Sequence, residues 1–225
     1  MNKPGSPDPS VNEDRRPLAS RDTGWARMLA RRAVSLGWTP NAISMASTGF
    51  AAFGASALLI SSVTDGVPAA ICLLLAAVGC QMRLVCNLID GMVAIEGGRA
   101  SATGAVWNEL PDRVSDMLLF AACGVLAHSL ALGWAAASAA VLAAYVREMG
   151  HRLTGIVNFQ GLMAKPQRMA VITIACVIAA VLQMSGSSSY VLVFQVALAV
   201  LLAGALQVSF VRARHVLHEL KQMSS

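Results

Sequence analysis

Charge is scarce in this chain. Only 13% of its 225 residues are Asp, Glu, Lys or Arg, about half the share of an ordinary soluble domain. Aromatic residues are also few, at 5%. The five cysteines (Cys72, Cys80, Cys86, Cys123, Cys176) show neither CxxC nor Cys/His ligand spacing. They read as small apolar packers, not as a zinc site or a disulfide framework. The four histidines form no HExxH. His215 and His218 share one face of a C-terminal helix, where a solvated or headgroup-facing role is expected. There is no internal repeat and no glycine-rich phosphate loop.

What is present is apolar. Hydrophobic residues make up 56% of the chain, and the mean hydropathy is +0.61. A hydrocarbon core of ~30 Å needs roughly 20 apolar residues as helix, because lipid offers the backbone no hydrogen-bond partners. Six runs meet that need: about Asn41–Ser61, Pro68–Ile95, Ala102–Leu130, Gly133–Val157, Met169–Gln183 and Tyr190–Val211. The fifth is short and is expected to begin nearer Pro166. The predicted fold is an all-α integral membrane protein of six transmembrane helices. Residues 1–22 are polar, Pro-bearing and of mixed charge; they read as a disordered N-terminus and not as a signal peptide. Residues 23–38 read as an amphipathic juxtamembrane helix, since Trp25–Leu36 alternates apolar and Arg positions at helical spacing. Residues 39–212 form the membrane domain, and 213–225 a cytoplasmic tail.

Lys and Arg are missing from three alternate loops, 61–67, 128–133 and 184–189. All 17 basic residues fall on the other side or at its edge. That asymmetry places both termini in the cytoplasm. It also explains the net charge of +5: a basic rim meets anionic headgroups at about 1 kcal/mol per residue. No basic domain stands outside the membrane, so nucleic-acid binding is not expected.

Spans two and three break the apolar pattern. Arg83, Asn87, Asp90 and Glu96 mark the cytoplasmic half of the first, and Asn108, Glu109, Asp112, Arg113 and Asp116 that of the second. A charge at a span centre costs ~2.5–3.5 kcal/mol, so such residues pair, line a cavity or bind ions. Pairing with Arg83 and Arg113 accounts for two carboxylates and leaves the rest of the cluster unexplained. At 100° per residue, Asn87, Asp90, Gly91 and Ala94 share an arc of about 100°, and Gly104, Asn108 and Asp112 one of about 80°. The short connection 96–101 makes the two helices antiparallel, with these faces opposed. Oxygen donors on both suit a hard divalent cation such as Mg²⁺. Gly91, Ala94 and Gly104 keep the space open, for a ligand or for close helix packing.

At these residues the chain resembles the CDP-alcohol phosphotransferases, whose signature is D-x2-D-G-x2-A-R-x8-G-x3-D-x3-D. The match runs Asn87-Leu-Ile-Asp90-Gly91-Met-Val-Ala94-Ile95, then Gly104, Asn108 and Asp112, with every spacing kept. The first and third acids are Asn, and the arginine is Ile95. Thr39-Pro40-Asn41 at the start of span one and the extension Asp112-Arg113-Val-Ser115-Asp116 add to the likeness. A bacterial branch of the family has the same Asn-x2-Asp-Gly-Met and Asn-Glu-x3-Asp pattern, which implies a bacterial inner-membrane protein with its site towards the cytoplasm.

The resemblance implies transfer of a phosphatidyl group from CDP-diacylglycerol to an alcohol, with release of CMP and use of Mg²⁺ or Mn²⁺. It assigns metal binding to Asn87, Asp90, Asn108 and Asp112, with Asp112 also the general base, and borders the cytidine diphosphate with Gly91, Ala94 and Gly104. Because an Asn carbonyl brings no negative charge, metal affinity is expected to fall; Asp116 is the nearest acid able to restore it. Arg147, Arg152, Lys165 and Arg168 surround the fourth connection and could hold the phosphate of an acceptor such as inositol phosphate or glycerol 3-phosphate. The orientation rule alone would also put cations there. The expected partners are CDP-diacylglycerol, the acceptor, membrane lipids and a second copy of the chain in a homodimer. Two other classes stay open at this stage: a regulatory homologue that binds CDP-lipid without chemistry, and, further off, a transporter.

Overall fold

The structure is a computed structural model that describes residues 23–96, 103–156, 161 and 163–223. The expected disordered segment 1–22 and the connection between spans two and three fall outside the described residues. Among those described, the chain is helical: α1 Gly24–Ser35, α2 Pro40–Ser61, α3 Gly66–Glu96, α4 Gly104–Leu126, α5 Leu130–Thr154, α6 Lys165–Met184 and α7 Tyr190–Met223.

The local sequence sets several of these ends. Thr39 caps α2, its Oγ1 accepting from the Ala42 amide at 3.2 Å, with Pro40 at the first helical position. Ser129 caps α5 through the Leu132 amide, and Gly155 ends that helix in the left-handed region at φ 71°. α6 begins at Lys165, close to the expected Pro166. α7 continues without a break to Met223, so the segment read as a tail is the last three turns of the same helix.

Among the described residues, five helices are long and apolar enough to cross a membrane: α2, α3, α5, α6 and α7. α4 has 23 residues, but Glu109, Asp112, Arg113 and Asp116 crowd its first half. Small side chains share the bundle interior with large ones such as Phe120 and Phe194. That interior is rich in alanine, including Ala51, Ala76, Ala136, Ala137 and Ala179, all fully buried, while Ile60, Val78, Ile174, Val181 and Val200 point outward. In lipid there is no gain from hiding large side chains, so small ones go where backbones must approach. Two glycine pairs show this. A Cβ on Gly79 of α3 would lie 2.9 Å from the Phe50 carbonyl oxygen of α2. One on Gly133 of α5 would lie 2.7 Å from that of Phe120 in α4.

α2 packs on both α3 and α4, α6 on α3, and α5 on α4 and α7. α1 lies against α3, where Ala26 and Ala30 are fully buried beside Cys86, Leu88, Met92 and Val93. The helix expected to rest on the membrane surface is thus anchored by its alanine stripe, with Trp25, Arg27, Met28 and Arg31 exposed. α3 and α4, the two helices with the polar stretch, do not pack on each other. Among the described residues their Cα atoms nowhere come within 8 Å. The gap between their backbones is filled by buried side chains, Arg83 among them.

Candidate active site

The gap lies at one end of the bundle, between the C-terminal half of α3 and the N-terminal half of α4. α2 supplies its floor. Ser44 Oγ donates to Asp90 Oδ2 at 2.8 Å, and Ser47 Oγ to Asn87 Oδ1 at 3.2 Å. Thr48 Oγ1 donates to the Pro111 carbonyl at 3.4 Å, as does Ser115 Oγ at 2.7 Å. These three α2 hydroxyls orient both halves of the motif. Sequence reasoning passed over them; the signal was present as hydroxyls at positions 44, 47 and 48, on one face of an apolar span.

Long cations cross the gap. Arg83 of α3 is fully buried. Its Nη2 reaches Asp112 Oδ1 at 3.4 Å, the Asp112 carbonyl at 3.2 Å and Asp116 Oδ1 at 3.0 Å. Its Nη1 points at Met169 Sδ of α6, 2.9 Å away. From α6, Lys165 pairs with Asp112 Oδ2 and Arg168 Nη1 with Asp116 Oδ2 at 3.0 Å. Both oxygens of each acid on α4 therefore face a cation. Arg113 is within 3.8 Å of Asp112 and 3.5 Å of Glu109. Arg147 of α5 closes the rim, pairing with Glu109 at 2.6 Å and with Glu148 at 2.8 Å.

The residues expected at the site are thus distributed as follows. Asp112 and Asp90 are buried and lie within electrostatic reach of the same Lys165. Asn87, Gly91, Ala94 and Gly104 are half-buried, while Asn108 is exposed on α4. Asp116 is 1% exposed and held by two arginines. Of the four cations read as acceptor contacts, Lys165 and Arg168 reach into the gap, Arg147 stands at its rim, and Arg152 is exposed. Arg212 of α7 is also buried, donating to the Ala143 carbonyl at 2.9 Å, although the sequence suggested only a membrane-edge charge.

A divalent cation fits the donor chemistry here. Asp90, Asp112 and the Asn87 side-chain carbonyl are all hard oxygen donors. Among the described residues no three His, Cys, Asp or Glu side chains gather as a metal-holding group.

No protein-family model matches the chain, and no curated protein sequence does. Solved structures do. Phosphatidylinositol phosphate synthase (PgsA1) of Mycobacterium tuberculosis, solved with CDP-DAG bound, superposes with a TM-score of 0.66 at 18% identity, over 85% of this chain and 92% of that one. The same enzyme in complex with manganese and citrate gives 0.65 at 18% identity, over 85% and 88%. Its apo form gives 0.60 at 18% identity, over 85% and 94%. The seven helices described above share the fold of that synthase.

Proposed function

We propose that this chain is a membrane phosphotransferase that moves a phosphatidyl group from CDP-diacylglycerol to an alcohol, releasing CMP. One observation carries the reading. The fully spaced Asn87-to-Asp112 motif falls on the two helices that border a polar gap, in a fold shared with a synthase solved with CDP-DAG.

Within this reading the attacking alcohol oxygen bonds to the phosphatidyl phosphorus as the bond to the CMP oxygen breaks. Asp112 takes the hydroxyl proton. Asp90, Asn87, Asn108 and Asp112 would hold Mg²⁺ or Mn²⁺, which supplies charge neutralisation for the diphosphate and the departing CMP. Two carboxylates balance one dication, so one ion per chain is expected instead of two. Gly91, Ala94 and Gly104 leave room beside α3 and α4 for the cytidine diphosphate. Arg147, Arg152 and Lys165 suit an anionic acceptor, with a phosphorylated polyol the best match. α4 serves as a sixth span, both termini face the cytoplasm, and the gap opens there.

A regulatory reading is favoured by a different observation: both Asp112 oxygens are occupied by cations. The two readings part on product formation. Purified protein incubated with CDP-diacylglycerol, Mg²⁺ and a panel of polyols and polyol phosphates should yield CMP and one new phospholipid by mass spectrometry. Folded protein that turns over none of them would leave the regulatory reading standing.

A further inference from the structure

Among the described residues no Cα atom of α4 comes within 8 Å of one in α3 or α6, yet its two buried acids must be held against both. Three side chains do this. Arg83 reaches from α3 to Asp112 and Asp116 together, while Lys165 and Arg168, three residues apart on α6, take the outer oxygen of each. The two acids differ in what they can do. Asp112 keeps its pairing with Lys165, which is half-buried and at the edge of the gap. Asp116 is enclosed, with arginines on both oxygens and no open side.

We propose that Arg83 is a positioning residue for Asp112, with Asp116 and Arg168 as the anchor that fixes Arg83 itself. This rests on the phosphatidyl-transfer reading. Arg83 Nη2 donates to Asp112 Oδ1 and the Asp112 carbonyl and lies 3.0 Å from Asp116 Oδ1 as an ion pair, while Nη1 donates to Met169 Sδ. A planar guanidinium held at both of its terminal nitrogens fixes where Asp112 Oδ2 points. Asp116 is then a buried counter-ion that holds the fork, and not a metal ligand. Arg83 and Asp116 act on the reaction only through Asp112.

The test is steady-state kinetics on the full-length protein in detergent or nanodiscs, with CDP-diacylglycerol and its best acceptor. Thermal unfolding is measured on every variant. Arg83→Met should lower kcat about 100-fold, the scale of an ångström-sized misplacement of a reacting group, with KM for CDP-diacylglycerol within about threefold of wild type. Arg83→Lys should recover only part of that kcat, because a point charge cannot fork. The double variant Arg83→Met/Asp116→Asn removes one charge of each sign and should regain most of the lost thermal stability while kcat stays low. If kcat returns together with stability in the double variant, the network is merely structural and the proposal is overturned. A loss confined to KM also overturns it, as does an unaffected Arg83→Met. A wild type that releases no CMP overturns the transfer reading and this proposal with it, whereas an active wild type with insensitive variants overturns the positioning role alone.

Discussion

At the scale of single residues, the site divides its carboxylates by what faces them. Asp90 is served by a neutral hydroxyl, Asp116 by two arginines, and Asp112 by Arg83 on one oxygen and Lys165 on the other. If Asp112 is the base, Asp112→Asn keeps its size and loses its proton affinity. Turnover should then fall about 10²–10⁴-fold while the protein stays folded, checked by CMP release beside a thermal melt. Restoring charge at the motif's first position is the converse change. Asn87→Asp should tighten Mn²⁺ binding about tenfold, read by electron paramagnetic resonance, because ligand charge sets divalent affinity. The motif spacing singled out Asn87, Asp90 and Asp112 from sequence alone. Their partners were not, since Ser44 and Ser47 lie some forty residues upstream and hydroxyls are common in membrane helices. The double hold on Asp116 was equally hidden: it needs Arg83 and Arg168 from different helices, and no local spacing links them.

Among the helices, close approach and separation are set by different means. α2–α3 and α4–α5 meet through glycine, and α3–α4 stay apart, bridged by long cations. Glycine contacts of this kind tolerate no added carbon. Gly133→Leu should cost about 1–3 kcal/mol of stability or more, since its side chain would enter the Phe120 backbone. Gly49→Leu, where nothing lies within 4 Å, should be close to neutral in the same detergent melt. Removing one member of the buried charge network is costlier still, about 3–5 kcal/mol for Arg83→Met, because a buried acid is left half-paired. Helix positions followed from apolar run length to within a few residues. The packing order did not. Opposed polar faces pointed to one volume between spans two and three, and nothing in their periodicity showed that Arg83 would span it.

For the whole molecule, the distribution of charge predicts orientation. Every residue that crosses or rims the gap sits at the end of the bundle where the basic residues collect. In a background with the five native cysteines replaced by alanine, Ser187→Cys should react with an impermeant maleimide in intact cells. Lys221→Cys should react only after permeabilisation. Labelling of both from the same side would refute the predicted topology. Charge asymmetry was readable because it depends only on which loops contain Lys and Arg. The length of α7 was harder to read, since a terminal helix that leaves the membrane loses its apolar signal while keeping its backbone.

All three scales meet in one claim, that the gap between α3 and α4 is where a CDP-linked lipid reacts. The most direct measurement is release of CMP from cytidine-labelled CDP-diacylglycerol by the purified protein, with Mn²⁺, a phosphorylated polyol and an Asp112→Asn control. The account predicts acceptor-dependent CMP release that chelation abolishes and Asp112→Asn reduces at least 100-fold. Release that is equal in the wild type and Asp112→Asn, or its absence with every acceptor, would contradict it.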